Sequence, residues 1–335
     1  MPSPSQFRLA GKKLAVAILV AALVLGLITA ATLFGGGDTP TLPSAAQPEW
    51  SFAQHMPHRR SYTASAEVGG KIYVATGMVG NTGRPLNIFE RFDPGTNEWT
   101  SLPFVPEAFS AAAGASLGGQ MYVIGGNGTA EAADGRQVFA YDVARKRWTS
   151  KASLPVPRTN LAAVALGGKL YALGGLDPVH ATRTVFTYDP ALNRWTRGAS
   201  LPEALHALAA VAFHGEIWVI GGQNAAGKAT NRVWIYDPGR NRWRAGPRMP
   251  APMETAGAAV AGDRIYVVLE SVSLTYDART RRWTRGPRLE VPRHALAVFA
   301  VKGTTLYAMG GCIVPQLEDS SVVEKRPLPG RAAGT

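Results

Sequence analysis

The sequence predicts an all-β fold made of repeated four-stranded units that close into a ring. Two observations predict it. Tryptophans recur at a regular spacing, and each copy holds short apolar runs bounded by Gly, Pro, Asn and Asp. The tryptophans in register are Trp50, Trp99, Trp148, Trp195, Trp243 and Trp283. Successive tryptophans are 40 to 49 residues apart, and a period in this range indicates a repeat architecture. We therefore expect one repeat domain in these 335 residues.

The third unit shows how each repeat is built. The sequence predicts a first strand from Asn160 to Leu166, a second from Leu170 to Leu173 and a third from Thr184 to Tyr188, with Trp195 opening the fourth. A Gly-Gly-Lys turn follows the first strand, and an Asp-Pro turn follows the third. Proline presets φ, while Asp and Asn accept local backbone hydrogen bonds, so both segments have the chemistry of tight turns.

A second mark recurs in phase with the tryptophans. Four units carry an aromatic residue three positions before a glycine pair, at Tyr122, Tyr171, Trp218 and Tyr307. The first and fifth units replace the pair by Thr76-Gly77 and Leu269-Glu270. The glycine pair, the aromatic residue and the downstream tryptophan resemble the kelch repeat, from about Glu49 to Pro329. That resemblance implies that each unit is one blade of a β-propeller.

The two ends of the chain predict how the propeller closes. The last copy has three strands (Ala295 to Val301, Leu306 to Met309 and Val322 to Arg326) and no following tryptophan, whereas Trp50 has no strands before it. A strand at Trp50 would therefore complete the last blade and remove two open sheet edges. We predict a six-bladed kelch-type propeller over 49–329, closed by an N-terminal strand, with 330–335 as a disordered tail.

The segment before the repeats predicts a membrane anchor. Residues 14–34 carry no charge, and Arg8, Lys12 and Lys13 precede them without any acidic residue. About 20 apolar residues span a bilayer, and basic residues stay on the cytoplasmic side. We therefore expect 1–13 in the cytoplasm, 14–34 as a transmembrane helix that acts as a signal anchor, 35–48 as a linker, and the rest outside. The alternative is a cleaved signal that releases a secreted protein.

Charge and cysteine content exclude several function classes. The chain has 35 Lys and Arg against 23 Asp and Glu, a formal net charge of +12. An extracytoplasmic domain is on the wrong side of the membrane for nucleic acid, so we expect none as partner. The one cysteine, Cys312, excludes an intramolecular disulfide framework and a cysteine-rich metal site. The histidines show no metal-ligand spacing, so we expect neither a metal nor a cofactor.

Alignment of the units predicts which residues surround the mouth of the central channel. In kelch propellers the first strand of each blade lines this channel. One column of the alignment holds Arg60, Phe109, Arg158, Leu205, Glu254 and Arg293. The next column holds Ser61, Ser110, Thr159, His206, Thr255 and His294. A solvated channel end is one interpretation. The other is a ligand site formed by Arg60, Arg158, His206, Glu254, Arg293 and His294, suited to an anionic small molecule or glycan because guanidinium groups bind carboxylates.

The predicted function is a membrane-tethered binding module for a protein or an anionic ligand. An alternative follows from a resemblance to exported six-bladed kelch sialic acid mutarotases, which implies that Glu254, Arg158 and Arg293 act on an acidic sugar. A structural envelope protein is a third interpretation. The fold alone does not decide among them.

The turns at the end opposite the mouth are basic. Four turns between third and fourth strands carry Arg145, Lys146, Arg147, Arg194, Arg240, Arg242, Arg279, Arg281 and Arg282. The tether reaches the propeller at this same end, because Trp50 opens a fourth strand. We therefore expect the basic face, and Arg145, Lys146, Arg147, Arg279, Arg281 and Arg282 in particular, to contact the bilayer.

Overall fold

The computed structural model describes residues 49–80, 83–128, 135–177, 179–315 and 317–329. Within these ranges the chain is all-β, and its strands form six four-stranded antiparallel sheets, here called blades. The predicted segments 1–13, 14–34, 35–48 and 330–335 lie outside the described residues. Among the residues that are described, no helix is long and apolar enough to cross a membrane.

Each blade is a meander of four strands whose neighbours in the sheet are hydrogen-bonded. In chain order, the strands of blades 1 to 5 are Ala64–Val68, Lys71–Ala75, Phe89–Asp93 and Glu98–Ser101; Ala113–Leu117, Gln120–Ile124, Val138–Asp142 and Arg147–Ser150; Ala162–Leu166, Lys169–Leu173, Val185–Asp189 and Arg194–Arg197; Ala209–Phe213, Glu216–Ile220, Val233–Asp237 and Arg242–Ala245; Gly257–Ala261, Arg264–Leu269, Val272–Asp277 and Arg282–Arg285. Blade 6 contains Ala297–Val301, Thr305–Met309, Val323–Pro327 and Ser51–Phe52.

Two-residue strands lie between the blade strands, at the ends where the first strands begin. They are Met78–Val79, Arg84–Pro85, Phe109–Ser110, Asn127–Gly128, Leu176–Asp177, His180–Ala181, Leu205–His206, Gln223–Asn224, Arg293–His294, Cys312–Ile313 and Glu318–Asp319. The predicted strands of the third unit agree with the observed ones to within two residues.

The N-terminal strand completes blade 6. Ser51 lies opposite Lys325 and Phe52 lies opposite Glu324, so the first described strand pairs with the last one. This is the pairing predicted from the unpartnered Trp50. It gives blade 6 a fourth strand, and the first and last parts of the domain cannot separate without breaking a sheet.

The tryptophans join consecutive blades. Each indole N–H donates to a backbone carbonyl just after the fourth strand of the preceding blade, at distances of 2.8–3.2 Å. The acceptors of Trp50, Trp99, Trp148, Trp195, Trp243 and Trp283 are the carbonyls of Pro287, Gln54, Pro103, Ala152, Ala199 and Pro247. In the described part of the chain, a hydrophobic cluster also fills each of the six blade–blade interfaces. The core is therefore a set of interfaces between blades.

Within the N-terminal segment that completes blade 6, substitution of Trp50 should lower the stability most. It is 4% exposed, it donates to Pro287, and the Arg326 guanidinium lies 5.5 Å from its ring centroid. We expect Trp50→Ala to lower the free energy of unfolding by roughly 3–5 kcal/mol, the usual cost of truncating a buried aromatic residue. Urea unfolding measures this change. Trp50→Phe keeps the packing but loses the N–H, so it should cost only about 1 kcal/mol; equal costs for both variants would contradict the role of packing.

Candidate functional site

A closed ring of backbone hydrogen bonds surrounds the mouth of the central channel. In each blade, the residue two positions before the first strand donates its N–H to the carbonyl of the equivalent residue in the preceding blade, at 2.8–3.3 Å. The sixth bond, from Tyr62 to Ala295, closes the ring. The ring residues, here called the mouth ring, are Tyr62, Ala111, Asn160, Ala207, Thr255 and Ala295. All have φ between 50° and 54°, a left-handed conformation that is unusual for these residue types. The ring bonds offset the strain of this conformation.

The glycine pairs connect each loop at the mouth to the next blade. Gly126 N–H donates to the Arg158 carbonyl, and equivalent bonds join Gly175 to Leu205 and Gly222 to Met253. A Cβ on Gly125 would lie 2.5 Å from the Arg158 carbonyl oxygen, and Gly125 has a φ of +65°. A side chain therefore cannot be accommodated there without moving the backbone of the next blade. This explains why the sequence repeats glycine at this position.

The loops at the mouth are unequal. In blades 1, 2, 3, 4 and 6 the second and third strands are connected by 76–88, 125–137, 174–184, 221–232 and 310–322. In blade 5 they are connected only by Glu270 and Ser271. Blade 5 therefore has almost no loop on this face, whereas its neighbours, blades 4 and 6, both have long loops. The gap between these two loops is here called the notch. We call the face formed by these loops the mouth face.

Three of the predicted ligand-binding residues are buried arginines whose guanidinium groups are paired with carboxylates of the same chain. Arg60 and Arg293 are 0% exposed, and they pair with Glu90 at 2.7 Å and with Glu324 at 3.0 Å. Burial lowers the pKa of Arg293 to about 10, and Glu324 opposes this shift. Arg158 is 2% exposed and pairs with Asp177 at 3.0 Å.

The anion site at these arginines stays a prediction, and the structure shows that each guanidinium already has a carboxylate partner. Arg60 also donates to the Val74 carbonyl and Arg293 to the Ala308 carbonyl, so each side chain links the second and third strands of its own blade. A guanidinium that is already paired with a carboxylate carries little net charge toward a ligand. Sequence alignment could not reveal this, because Glu90 and Glu324 belong to third strands about 30 residues further along the chain, and Asp177 belongs to the mouth loop of blade 3.

In blades 2 and 3 an aromatic side chain replaces the third-strand glutamate. Phe109 contacts Phe139 in blade 2 with ring centroids 6.0 Å apart, and the Arg158 guanidinium lies 5.8 Å from the Phe186 ring in blade 3. Phe139 and Phe186 occupy the third-strand register that Glu90 and Glu324 occupy in blades 1 and 6. The position is therefore a packing site of the blade, which either an ion pair or two apolar side chains can fill.

The structure also shifts the predicted alignment of blade 5 by one residue. Thr255 belongs to the mouth ring, and the Met253 carbonyl accepts from Gly222 as the Arg158 carbonyl accepts from Gly126. Met253, rather than Glu254, is therefore the equivalent of Arg60 and Arg293. Glu254 falls in the column of Ser61, Ser110, Thr159, His206 and His294, directly before the mouth ring.

With this alignment, polar side chains lie together on one side of the mouth, from blade 4 through blade 6 to Tyr62 at the start of blade 1. The residues, here called the polar sector, are Tyr62, His206, Gln223, Glu254, Glu270 and His294. Burial raises the pKa of Glu254, the negative charge of Glu270 adds to the shift, and a hydrogen bond with Gln223 opposes it. Burial also raises the pKa of Glu270 and that of the Tyr62 phenol, where the charges of Cys312, Glu254 and Asp319 contribute further.

The two histidines of the polar sector are buried and neutral. Burial lowers the pKa of His206, although its hydrogen bond with Gln223 opposes the shift, and burial lowers the pKa of His294 to about 4. The Tyr62 ring packs edge-on against His294 with centroids 6.3 Å apart. Within the described residues, His206 Nδ1, His294 Nδ1 and Glu254 Oε2 are buried without a hydrogen-bond partner. Such atoms are rare in native structures and call for an explanation.

Sequence reasoning identified three members of this sector and missed the other three. His206, Glu254 and His294 were predicted site residues, whereas Tyr62, Gln223 and Glu270 were not. A signal for Glu270 was available, because it replaces the second glycine of the pair and keeps a positive φ of 51°. A charged residue at a position that favours glycine is a departure that packing does not require.

Below the mouth, the channel is lined mainly by small side chains. The channel encloses about 520 Å³, and the residues that face it include Ser65, Gly114, Ala163, Ala210 and Ala258. The mouth itself holds a recess of about 140 Å³ lined by the mouth ring and by the residue that follows each of its members. In the ranges that the structure describes, no group of three or more His, Cys, Asp or Glu residues is placed to hold a metal ion.

Comparison with known proteins agrees with this geometry. Residues 50–268 match the family described as the KLHDC2/KLHL20/DRC7 Kelch-repeats domain. The chain belongs to the kelch-repeat family. The solved structure described as "Structure of YjhT" is similar with a TM-score of 0.70 and 15% identity, over 82% of this chain and 96% of that chain. At this identity the likeness shows the kelch fold alone, and no curated protein matches the chain in sequence.

The repeats of the kelch fold provide their own control for the buried ion pairs. We expect Arg293→Met to lower the free energy of unfolding by roughly 3–5 kcal/mol, because it leaves Glu324 charged and buried without its partner. The double variant Arg293→Met with Glu324→Leu imitates Met253 and Leu274 of blade 5. It should recover part of this loss, because it removes the buried charge but also removes the acceptor of the Glu290 and Val291 N–H groups. Urea unfolding of both variants measures it. A double variant as unstable as the single one would show that blade 6 requires the charges.

His294 should make the kelch domain less stable in mild acid. Its pKa is about 4 in the folded chain, whereas an unperturbed histidine, as in the unfolded chain, has a pKa of 6.5. Between these pH values the unfolded chain binds a proton that the folded chain does not. Stability is then complete above pH 6.5 and falls with pH by up to about 1.4 kcal/mol per unit toward pH 4. Urea unfolding at pH 7, 5.5 and 4.5 should show a flatter dependence for His294→Gln. Parallel pH dependences for the two proteins would contradict the assignment.

Proposed function

We propose that the chain is a six-bladed kelch interaction module, tethered to a membrane by residues 14–34, which binds a partner on its mouth face outside the cytoplasm. The observation that carries this proposal is the asymmetry of the mouth face. Blade 5 has almost no loop on this face. The polar sector beside it holds three buried side-chain atoms without a hydrogen-bond partner, namely His206 Nδ1, Glu254 Oε2 and His294 Nδ1. A rigid ring with one notch presents these groups to only one side.

The chemistry of the polar sector favours a polar partner rather than an anion. Glu254 and Glu270 supply carboxyl oxygens, Gln223 supplies an amide, and His206 and His294 supply neutral imidazoles. These groups accept and donate hydrogen bonds. The arginines that would attract a carboxylate are already paired with carboxylates of the chain itself. A protein segment with hydrogen-bonding side chains fits such a surface better than an acidic glycan.

The mutarotase alternative receives no specific support from this arrangement. It requires Arg158 and Arg293 to meet an acidic sugar at the mouth, and both are held by Asp177 and Glu324. The tether is supported by the sequence alone. Residues 14–34 are free of charge, and the three cations of the N-terminus precede them.

Site-specific photo-crosslinking of the full chain in its own membrane tests the proposed module. A photoreactive residue is introduced at Lys228 or Glu318, which are exposed on the loops at either side of the notch. Both positions should capture the same partner, and Glu254→Gln should weaken the capture because it changes the polar sector. The matched control is Thr196, exposed on the outer strand of blade 3. Capture at Thr196 alone, or none at the two loop positions, would contradict the proposal.

A further inference from the structure

The end of the propeller opposite the mouth carries a second, different surface. Third strands end and fourth strands begin there, because strand direction alternates within each blade. The turns of blades 2 to 5 at this end contain nine cations, and all nine are exposed: Arg145, Lys146, Arg147, Arg194, Arg240, Arg242, Arg279, Arg281 and Arg282. We call these residues the basic arc.

One position of the repeat defines the extent of the arc. The residue directly before the repeated tryptophan is Arg147, Arg194, Arg242 and Arg282 in blades 2 to 5, respectively. In blades 1 and 6 the same position is Glu98 and Glu49. Positive and negative charge are therefore segregated around one end of the ring. Two adjacent blades are acidic at this position, and the other four are basic.

The aspartates of these turns do not neutralise the arc. Asp189 and Asp277 pair with Lys169 and Arg264, which belong to second strands of the same blades. Asp142 and Asp237 pair with Arg145 and Arg240 at 2.8 Å. The other seven cations of the arc have no carboxylate within ion-pair distance in the described part of the chain. The arc therefore keeps most of its positive charge for a partner.

An apolar side chain lies within the same arc. Leu192 is 70% exposed at the turn of blade 3, two residues before Arg194. An exposed leucine among cations is typical of a surface that meets a lipid bilayer, where cations bind headgroups and the apolar side chain enters the acyl boundary. A nucleic acid would use the cations but offers no apolar layer for the leucine.

The position of the tether agrees with this partner. Trp50 follows Glu49 at the beginning of a fourth strand, so the chain from 14–34 reaches the propeller at the end that carries the basic arc. Residues 35–48 separate the two, and fourteen residues span at most about 50 Å even when fully extended. The proposed tether therefore keeps this end of the propeller near the bilayer.

We propose that the basic arc and Leu192 dock on an anionic lipid surface, so that the mouth face points away from the membrane. Each cation close to such a surface contributes up to about 1 kcal/mol, and salt weakens the attraction. The proposal rests on the tether of the proposed function only for the nearness of the bilayer. The docking itself depends on the charges and the leucine of the arc.

Fluorescence of the full chain in lipid nanodiscs tests the docking. In a Cys312→Ala background, Leu192→Cys is labelled with an environment-sensitive fluorophore. In discs that contain phosphatidylglycerol, the emission should shift to the blue and be quenched by spin-labelled lipid, and both effects should decline at high salt. In discs of phosphatidylcholine alone they should be weak. Val179→Cys, which is 40% exposed in the mouth-face loop of blade 3, is the matched position, and its label should remain in a polar environment in every disc.

Charge reversal separates the arc from net charge. The variant Arg147→Glu, Arg194→Glu, Arg282→Glu should reduce quenching at Leu192→Cys to the level of the Val179 position. The control variant Arg59→Glu, Arg84→Glu, Lys228→Glu changes as much charge at exposed positions near the mouth and should leave the quenching unchanged. Equal melting temperatures for the two variants would show that both are folded. Equal quenching for the two variants would overturn the proposal.

The remaining outcomes distinguish this proposal from the tether. A chain that does not enter the discs contradicts the tether, and docking is then measured by adding anionic vesicles to the same labelled protein. If the label at Leu192→Cys keeps the emission of a polar environment with both anionic discs and anionic vesicles, the docking proposal is wrong. A label that responds to duplex DNA and not to lipid would assign the arc to nucleic acid and overturn it as well.

Discussion

The ring of backbone hydrogen bonds at the mouth constrains everything else in this propeller. Each bond joins two neighbouring blades through residues such as Asn160 and Ala207, and both must hold a left-handed backbone to reach each other. A blade alone gains nothing from that conformation, because its partners belong to the blades on either side. The strain is therefore compensated only in the closed ring, and closure also requires the N-terminal strand to pair with Val323–Pro327. The tryptophan bonds near the opposite end repeat the same logic with indole N–H groups.

The position two residues before each mouth-ring residue can hold either a charged or an apolar side chain. Arg60 with Glu90 and Phe109 with Phe139 occupy equivalent sites in neighbouring blades. A buried ion pair gains little net stability over an apolar pair, because the loss of hydration offsets the attraction between the charges. Replacing the ion pair by an apolar pair is then nearly neutral for stability, provided that both partners change together. An arginine in a repeat alignment is therefore weak evidence for a ligand site.

The two ends of the propeller differ in chemistry because they are built from different parts of the repeat. The mouth face is formed by loops, whose length can change without disturbing the blades, and the two-residue connection in blade 5 leaves the notch there. The opposite end is formed by short turns, where aspartates accept backbone N–H groups and keep the geometry fixed. Outward side chains of these turns are free to vary in charge, so the basic arc could develop without cost to the fold.

The sequence by itself determined the all-β class, the repeat boundaries, the strands of each unit and the pairing of the N-terminal strand with the last blade. These features depend on local periodicity and turn chemistry, which are written in consecutive residues such as those from Asn160 to Trp195. It also placed His206, Glu254 and His294 near the channel mouth. Only the tertiary structure decided that Arg60 and Arg293 are buried with Glu90 and Glu324, that Met253 rather than Glu254 aligns with them, and that Gln223 and Glu270 complete the polar sector. Those outcomes depend on contacts between residues distant in the chain, and on a one-residue register that left-handed backbone geometry fixes and residue type does not.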